Sequence, residues 1–343
     1  MGRKIIMTNA PQKKKNGFGD ILSRLGAALA LILMFIVFAI WMPDKFLRIT
    51  NLMNVLKQAS INCMIGAGML LCLITAGIDL SVGYNCTLAC CVIGVLLNKG
   101  VTSAWILIPA ALLVSTLAGF VNGTLLTRLD LPHPFVSTLG VKNILWGLAL
   151  LITGSTSIGL YNKGIDSTLA LGSATIFSIG FPVSFILVLV VYALYHVFLN
   201  HTSLGRQIYC VGGNAEAARL SGIRSKDVLT VVYTISGFMC GVAGVILAGR
   251  VASANPNSGA TYDTDAIAAC IIGGASFSGG KGTIWGTLIG ALLIAIIRNA
   301  LNLLGTKNDI QYIVIGAVII VSVTIDVVRG KLEARAHKMA AID

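Results

Sequence analysis

The sequence predicts an all-α polytopic membrane protein with about ten transmembrane helices. Hydrophobic residues make up 56% of the 343 residues and charged residues only 11%, whereas about 25% of the residues in an average soluble domain are charged. Several apolar runs approach or exceed the roughly 18 residues expected of a membrane span. The 38 glycines are also typical of membrane helices, because they allow close packing. Most of the surface is therefore expected to face lipid.

Ten apolar segments are interpreted as spans. In chain order they cover residues 26–43, 59–76, 81–97, 104–127, 136–153, 181–199, 228–249, 264–280, 283–304 and 309–328. The third and eighth are short and rich in Gly or Cys, so each is expected to be either a full crossing or a broken, re-entrant helix. The spans form one transmembrane domain over 26–328. A basic tail (1–25) precedes the domain, and a second tail (329–343) follows it.

The distribution of lysine and arginine orients these spans, because cytoplasmic loops of membrane proteins are enriched in both. If the N-terminus is cytoplasmic, 16 of these residues fall in inner segments and seven in outer segments. We therefore predict that both termini are cytoplasmic, together with 200–227, the longest inner loop. The net charge of +12 is then explained by topology, and we expect no nucleic-acid partner.

Catalysis has no support in the spacing of reactive residues. The stretch "GGASFSGGKGTI" (273–284) looks like a phosphate-binding loop but lacks its pattern, because Ala275 stands where the first Gly is needed and Gly282 follows Lys281. The histidines form no metal-ligand cluster, and the eight cysteines contain no CxxC pair. We predict no catalytic residue, no metal and no cofactor. The cysteines are expected to be small buried hydrophobes.

Ionisable residues at membrane depth are costly and therefore mark candidate functional positions. Asp79 lies in "TAGIDLSVG" (75–83), between the second and third spans. It is expected to cap the third span, to hold an interrupted helix together with Ser81, or to line a transport path. Arg298 is expected to line an aqueous cavity or to pair with an acid, with Asp263 and Asp265 as possible partners. Lys142 is expected to snorkel from the inner end of the fifth span.

One short polar helix is predicted within the long inner loop, in "GGNAEAARLSG" (212–222). Ala215 to Leu220 are mostly good helix formers. Asn214 is the predicted N-cap, and Gly222 the predicted C-terminal stop.

Five stretches, in their order and spacing, resemble the permease subunit of the bacterial ABC importers for ribose, galactose and related monosaccharides. They are "TAGIDLSVG" (75–83), "FVNGTLLTRL" (120–129), "PFVSTLG" (134–140), "SLGRQIYCVGGNAEAARLSGI" (203–223) and "DAIAACIIGGASFSGGKGTIWGTLIGALL" (265–293). The resemblance covers about residues 45–330. The last stretch looks closest to the galactose/methyl-galactoside branch. Val141, Lys142 and Asn143 depart from the family pattern, as does His133 between two prolines.

The resemblance implies an importer in the bacterial plasma (inner) membrane. Its implied partners are a second permease copy, expected to be identical, a cytoplasmic ABC ATPase with two sites on one tandem polypeptide, and an extracytoplasmic sugar-binding protein. The 203–223 loop is implied to be the coupling segment that docks on the ATPase. The predicted coupling residues are Gly212, Gly213, Asn214, Glu216, Ala217, Arg219 and Gly222. The candidate translocation path comprises Asp79, Ser81, Asn122, Arg298 and Asn299.

Two alternatives remain open at this stage. The same machinery could carry a nucleoside, an autoinducer-type furanone or a branched-chain amino acid. The chain could instead be a secondary carrier that works alone on an ion gradient, although it shows no convincing internal repeat.

Overall fold

The computed structural model describes residues 18–129, 131, 133–161, 163–306 and 308–339, and nearly all of its regular structure is helical. The helices are α1 (Phe18–Trp41), α2 (Pro43–Phe46), α3 (Ile49–Ile74), α4 (Val82–Asn98), α5 (Ala104–Arg128), α6 (Pro134–Thr153), α7 (Asp166–Ser173), α8 (Val183–His201), α9 (Ser203–Gly213), α10 (Ala215–Leu220), α11 (Ser225–Val251), α12 (Tyr262–Ile272), α13 (Ile284–Leu303) and α14 (Asn308–Met339). The strands are β1 (Ile158–Gly159), β2 (Thr175–Ile176), β3 (Phe181–Pro182) and β4 (Ser253–Ala254). Each forms a short antiparallel pair, β1 with β4 and β2 with β3.

Six helices in the described part of the chain are long and apolar enough to cross a membrane, namely α3, α5, α6, α8, α11 and α13. Shorter apolar helical stretches lie in α1, α4 and α14. These nine helices overlap nine of the ten predicted spans. The predicted all-α polytopic membrane protein is therefore confirmed, while ten full crossings stay a prediction.

The eighth predicted span, 264–280, is not one helix. It is replaced by α12, which has 11 residues and is therefore only about 16 Å long, followed by an irregular segment up to α13. Gly274 (φ +92°) and Gly279 (φ +79°) adopt backbone conformations that a right-handed helix excludes. The apolar pattern continues past Ile272, but these glycines end the helix there.

The structure describes only part of each of the two predicted tails. Residues 1–17 and 340–343 lie outside the described part of the chain. α1 already begins at Phe18, and α14 runs to Met339 with no break at 328. The division into two tails and one domain stays a prediction.

The centre of the bundle is α3. Every residue from Ala59 to Ile74 is buried, because α11, α12 and α13 pack around this helix. α5, α6 and α8 lie at the periphery and expose Leu, Ile and Val side chains such as Leu113, Leu151 and Leu194. An apolar exterior of this kind suits a protein that is solvated by lipid.

The connecting segments gather at two opposite ends of the bundle. One end, the α10 face, holds the C-terminus of α3, the helices α9 and α10, and loop 273–283, where the Gly280 amide donates to the Ile74 carbonyl at 2.8 Å. The other end, the hairpin face, holds α2, α7 and both strand pairs, and Lys57 Nζ donates there to the Ser173 carbonyl at 3.5 Å. The segments at the α10 face are those that the sequence predicts to be inner segments, and the segments at the hairpin face are those that it predicts to be outer segments.

Two helices, α4 and α12, begin inside the bundle rather than at either end. A Cβ atom added to Gly83, at the start of α4, would lie 2.3 Å from the carbonyl oxygen of Gly259, just before α12. Only glycine permits this approach of two backbones. The irregular segments 75–81 and 255–261 lead into these helices at membrane depth, where non-helical backbone is tolerated only if protein buries it or if it lines a cavity.

Candidate functional site

The polar helix predicted at 212–222 is present, and its ends are capped as expected. The Asn214 side chain accepts hydrogen bonds from the Glu216 and Ala217 amides at 3.1 and 2.9 Å, so it is the N-cap. Gly222 has φ +84°, and the Ile223 amide donates to the Ala218 carbonyl at 3.0 Å. These are the features of a Schellman C-terminal motif. α10 is therefore a short helix with defined start and end points.

The surface of α10 is exposed, apart from Ala218. Glu216 and Arg219 form an ion pair at 2.6 Å, and both side chains are exposed. The Arg219 guanidinium lowers the pKa of Glu216, so the pair is intact at neutral pH and is lost only as the pH falls through that lowered pKa. Leu220 is 75% exposed and was not among the predicted coupling residues, although an apolar residue on a polar helix could have indicated a contact surface.

α9, which supports α10, packs against the end of the central helix. A Cβ atom on Gly212 would lie 1.6 Å from the Ile74 carbonyl oxygen, so the two backbones touch. The Tyr209 hydroxyl donates to the Gly282 carbonyl at 2.8 Å, and the Gly280 amide is bonded to the same Ile74 carbonyl. The Gly-rich loop 273–283 therefore joins helices, and Gly212 lets the α9 backbone contact the end of α3.

Three of the predicted path residues form one buried cluster. The backbone amide and the hydroxyl of Ser81 donate to Asp79 Oδ1 at 3.0 and 2.6 Å. The Asn122 amide group donates to the same oxygen at 3.3 Å, and the Ser236 hydroxyl donates to Asp79 Oδ2 at 3.1 Å. The cluster joins segment 75–81 to the middle of α5 and α11.

This cluster decides among the alternatives for Asp79. The N-cap residue of α4 is Ser81, so Asp79 is not the cap and instead holds the Ser81 backbone amide. The interrupted-helix interpretation fits, because Asp79 accepts from the freed Ser81 backbone amide and is itself held by the Ser81 hydroxyl. Asp79, Ser81 and Asn122 are at most 2% exposed, so they do not line open space in this conformation, and their role in a path stays a prediction.

The remaining predicted path residues lie on α13, in two separate contacts. Arg298 donates to both oxygens of Asp265 at 2.7 and 2.8 Å, which identifies Asp265 as the acid partner that the sequence left open. Asn299 exchanges amide hydrogen bonds with Asn51 at 2.9 and 3.0 Å. Both contacts fasten α13, one to α12 and the other to α3.

Asp263, the second acid of α12, has a different partner. Lys142 Nζ donates to Asp263 Oδ2 at 2.5 Å, so Lys142 does not snorkel to an interface as predicted. Its ammonium group also lies 5.9 Å from the centre of the Tyr84 ring, which stacks on Trp146. The sequence prediction missed this group, although a lysine inside an apolar span was a signal that it has a partner.

The prediction that the cysteines are small buried hydrophobes is confirmed for all but one of them. Seven are buried, and Cys210, in α9, is exposed. Within the described residues, no group of three or more His, Cys, Asp or Glu side chains could hold a metal ion. The polar side chains of the interior thus join helices in pairs and small clusters.

Comparison with known proteins places this chain in a family. Residues 51–323 match the branched-chain amino acid transport system/permease component family. The ribose import permease protein RbsC of Haemophilus influenzae is 35% identical over 309 residues, 90% of this chain and 94% of its own. The D-allose transport system permease protein AlsC of Escherichia coli is 35% identical over 321 residues, 94% and 97% of the two chains. The galactose/methyl galactoside import permease protein MglC of Salmonella typhimurium is 34% identical over 316 residues, 88% and 93%.

The resemblance to sugar import permeases is thereby confirmed. The identities to the ribose, allose and galactose permeases are nearly equal, so they do not separate one sugar from another. No solved structure matches this chain. The extent of the family match and the similarity along nearly the whole chain establish that this multi-pass membrane protein belongs to the family of branched-chain amino acid transport system permease components.

Proposed function

We propose that the chain is the membrane permease subunit of an ABC importer that moves a monosaccharide into the cytoplasm, driven by ATP hydrolysis on a partner subunit. Relatives named as ribose, allose and galactose/methyl galactoside permeases match it over 88–94% of its length. Ribose and galactose or methyl galactoside are the cargoes that we favour. The chain itself is a transport subunit, and the chemistry belongs to the ATPase.

The observation that carries this proposal is the capped, exposed helix α10 on a buried support. An isolated helix of six residues is too short to be stable in water, so its caps and its support must maintain it. α10 projects Glu216, Arg219 and Leu220 from the bundle, while α9 contacts the end of α3 through Gly212. This arrangement suits a rigid projection that enters a cleft of a motor subunit.

The contacts behind α10 supply a route for movement into the bundle. A displacement of α9 acts on the C-terminus of α3 at Ile74 and on loop 273–283 through Tyr209 and Gly282. That loop connects α12 to α13, and Asp263 and Asp265 connect α12 to α6 and α13. ATP-driven movement of α10 would then tilt these helices as connected bodies and change the exposure of a central path.

The assembly that we propose has two copies of this chain, a tandem ATPase below the α10 face and a sugar-binding protein on the hairpin face. The α10 face is cytoplasmic, as are both termini, and the chain crosses the bacterial plasma membrane ten times. The surplus of basic residues in the inner segments supports this orientation. The membrane lipid covers the exposed apolar sides of α5 and α8.

We propose that the predicted path residues position the helices around the path. Asp79, Ser81 and Asn122 hold the start of α4, while Arg298 and Asn299 hold α13. Direct contact of these side chains with sugar would require a conformation in which their mutual hydrogen bonds open.

Reconstitution tests the proposal. The purified chain is reconstituted in proteoliposomes with an ABC ATPase and a secreted sugar-binding protein encoded beside its gene. Uptake of radiolabelled D-ribose and D-galactose is measured with the ATPase and ATP inside the vesicles and the binding protein outside. We expect uptake only when all three components and ATP are present. Uptake by the chain alone in response to an ion gradient would show a secondary carrier instead.

A second arm tests the coupling role of α10. Residues 212–222 are replaced by a Gly/Ser loop of equal length, which removes the helix and its caps. ATP hydrolysis by the ATPase is expected to persist while uptake is lost, because the motor then has no rigid contact. Normal uptake by this variant would refute coupling through α10.

The cargo is tested on the wild-type complex. If that complex takes up a nucleoside or leucine but neither sugar, the chain is a permease for that other cargo.

A further inference from the structure

The middle of α6 carries a cluster that combines aromatic rings, an ion pair and an amide. The rings of Trp146 and Tyr84 stack with centroids 5.3 Å apart and planes inclined by 28°. Trp146 Nε1 donates to Asn257 Oδ1 at 3.1 Å. Lys142, one helical turn from Trp146, pairs with Asp263 at 2.5 Å. Three separate elements, α4, α6 and the entry to α12, therefore meet at this cluster.

The cluster lies at membrane depth. Lys142 is eight residues beyond the start of α6 and hence about 12 Å along a helix of about 30 Å. Both α4 and α12 start beside it, since Tyr84 is in the first turn of α4 and Asp263 in the first turn of α12. The apolar parts of α6 on either side would lie in the two halves of the membrane.

The cluster is nevertheless open on one side. Trp146 is 37% exposed, the Lys142 side chain is 24% exposed, and Asn143 and Asn257 are exposed. A charged pair and two amides at this depth cost several kcal/mol if they face hydrocarbon. This side of α6 must therefore face water or a partner protein rather than lipid. It differs in this respect from the Asp79 cluster, which is closed.

The chemistry of the open side suits a neutral ring that carries hydroxyl groups. Tyr84 covers one face of the Trp146 ring, and the bond to Asn257 holds its edge, so the indole is fixed and presents an apolar surface. Among the described residues, the Asn257 NH2 group has no hydrogen-bond partner and can donate to a ligand. Asp263 is buried and neutralises Lys142, while the partly exposed Lys142 ammonium group keeps donor capacity toward a ligand. A flat apolar surface with converging polar groups is typical of small-molecule sites.

We propose that Trp146, Asn257 and the Lys142–Asp263 pair form a weak monosaccharide-binding subsite in the transport path. The indole packs on the C–H face of the sugar, and the Asn257 amide and the Lys142 ammonium group donate to its hydroxyl groups, with Asp263 holding Lys142 from behind. The subsite rests on the proposed function and adds to it a location and a ligand chemistry. Because its charges are paired, it offers no free ion for the carboxylate or ammonium group of an amino acid.

A binding measurement on the full chain tests this subsite. The protein is placed in lipid nanodiscs, and saturation-transfer NMR is recorded with D-ribose, with D-galactose and, as a negative probe, with L-leucine. We expect transfer to the ring C–H protons of the sugars with dissociation constants in the millimolar range and none to leucine. Trp146→Leu is expected to weaken sugar binding by at least about fivefold, which corresponds to one lost aromatic contact.

Two variants control for misfolding and for non-specific contact. Trp146→Phe keeps an aromatic surface and is expected to retain most of the transfer. Trp105→Leu removes a tryptophan that is 90% exposed at the start of α5 and is expected to change nothing. The variants must match the wild-type elution volume in gel filtration, so that a loss of signal reports on binding.

The outcomes separate this inference from the function on which it rests. If the reconstituted complex imports sugar but the wild-type chain shows no transfer, or if Trp146→Leu matches wild type, the subsite is wrong and the proposed function stands. If the complex imports neither sugar, the proposed function is wrong and the subsite falls with it. Import by the complex together with a loss that is specific to Trp146→Leu supports both.

Discussion

Three carboxylates at membrane depth, Asp79, Asp263 and Asp265, are almost completely buried, and the protein holds them in two ways. Asp263 and Asp265 each have a cationic partner. Asp79 accepts hydrogen bonds from neutral groups of Ser81, Asn122 and Ser236. A buried ion pair costs desolvation energy, yet breaking it by removing one partner is worse, because a buried charge then stands alone. The three acids are therefore sensitive points of the structure.

Loss of Arg298 should destabilise the protein strongly. Arg298→Met leaves Asp265, which is 1% exposed, without its partner, and we expect the free energy of unfolding to fall by about 3–5 kcal/mol. The double variant Arg298→Met/Asp265→Leu should recover most of this loss, since no buried charge remains. Denaturant unfolding in micelles measures both. A double variant no more stable than the single one would contradict this account.

Loss of the Asn214 cap should weaken α10. Asn214→Ala removes the acceptor of the Glu216 and Ala217 amides and should weaken α10 by about 1 kcal/mol. Amide hydrogen exchange in the peptide covering 212–222 should accelerate about fivefold as a result. Asn214→Asp keeps the acceptor and is the matched control. Equal exchange in the alanine and aspartate variants would show that the cap does not maintain the helix.

At the level of elements, two neighbouring glycines at the end of α9 offer a matched comparison. A Cβ atom at position 212 would overlap the backbone oxygen of Ile74, whereas one at 213 would meet nothing within 4 Å. We expect Gly212→Ala to push α9 away from α3 and to abolish ATP-driven sugar uptake at normal ATPase activity. Gly213→Ala should transport as wild type does.

Uptake rates and ATP hydrolysis of the two variants, measured in the reconstituted complex at equal protein levels, check this comparison. If both alanine variants transport normally, the contact between α9 and α3 does not carry the coupling. If both lose uptake, the last turn of α9 is sensitive for a reason other than its contact with Ile74.

For the whole molecule, the proposed orientation in the membrane can be tested with one exposed thiol. Cys210 is exposed on the α10 face, and the other seven cysteines are buried. If that face is cytoplasmic, a membrane-impermeant maleimide should label Cys210 in inside-out vesicles but not in intact cells. The chain is expressed for this test without its ATPase, so that no partner covers the thiol.

The opposite face supplies the control. Tyr161 is 73% exposed and follows β1 on the hairpin face. Tyr161→Cys, combined with Cys210→Ser, should be labelled in intact cells but not in inside-out vesicles. Labelling of Cys210 in intact cells would reverse the proposed orientation and would place α10 outside, where no ATPase could reach it.

The features that the sequence determined by itself are those that act over short distances along the chain. Composition and apolar runs predict a helical membrane protein, and the charge distribution separates the segments into two groups, which the fold places at opposite ends. Asn214 and Gly222 predict the ends of α10, because caps bond to amides and carbonyls only a few residues away. The sequence allowed span 264–280 to be a broken helix, but it did not locate the end of α12, since the apolar pattern continues through the glycines that stop the helix.

Only the tertiary structure decided which polar groups meet. Lys142 and Asp263 are 121 residues apart, and Asp79 and Ser236 are 157 apart. Many acids and bases of one chain are compatible with each other by charge, and the choice among them depends on which helices are neighbours. The packing of α4, α6, α11 and α12 makes that choice, because a buried polar group must find its partner within about 3 Å, wherever that partner lies in the sequence.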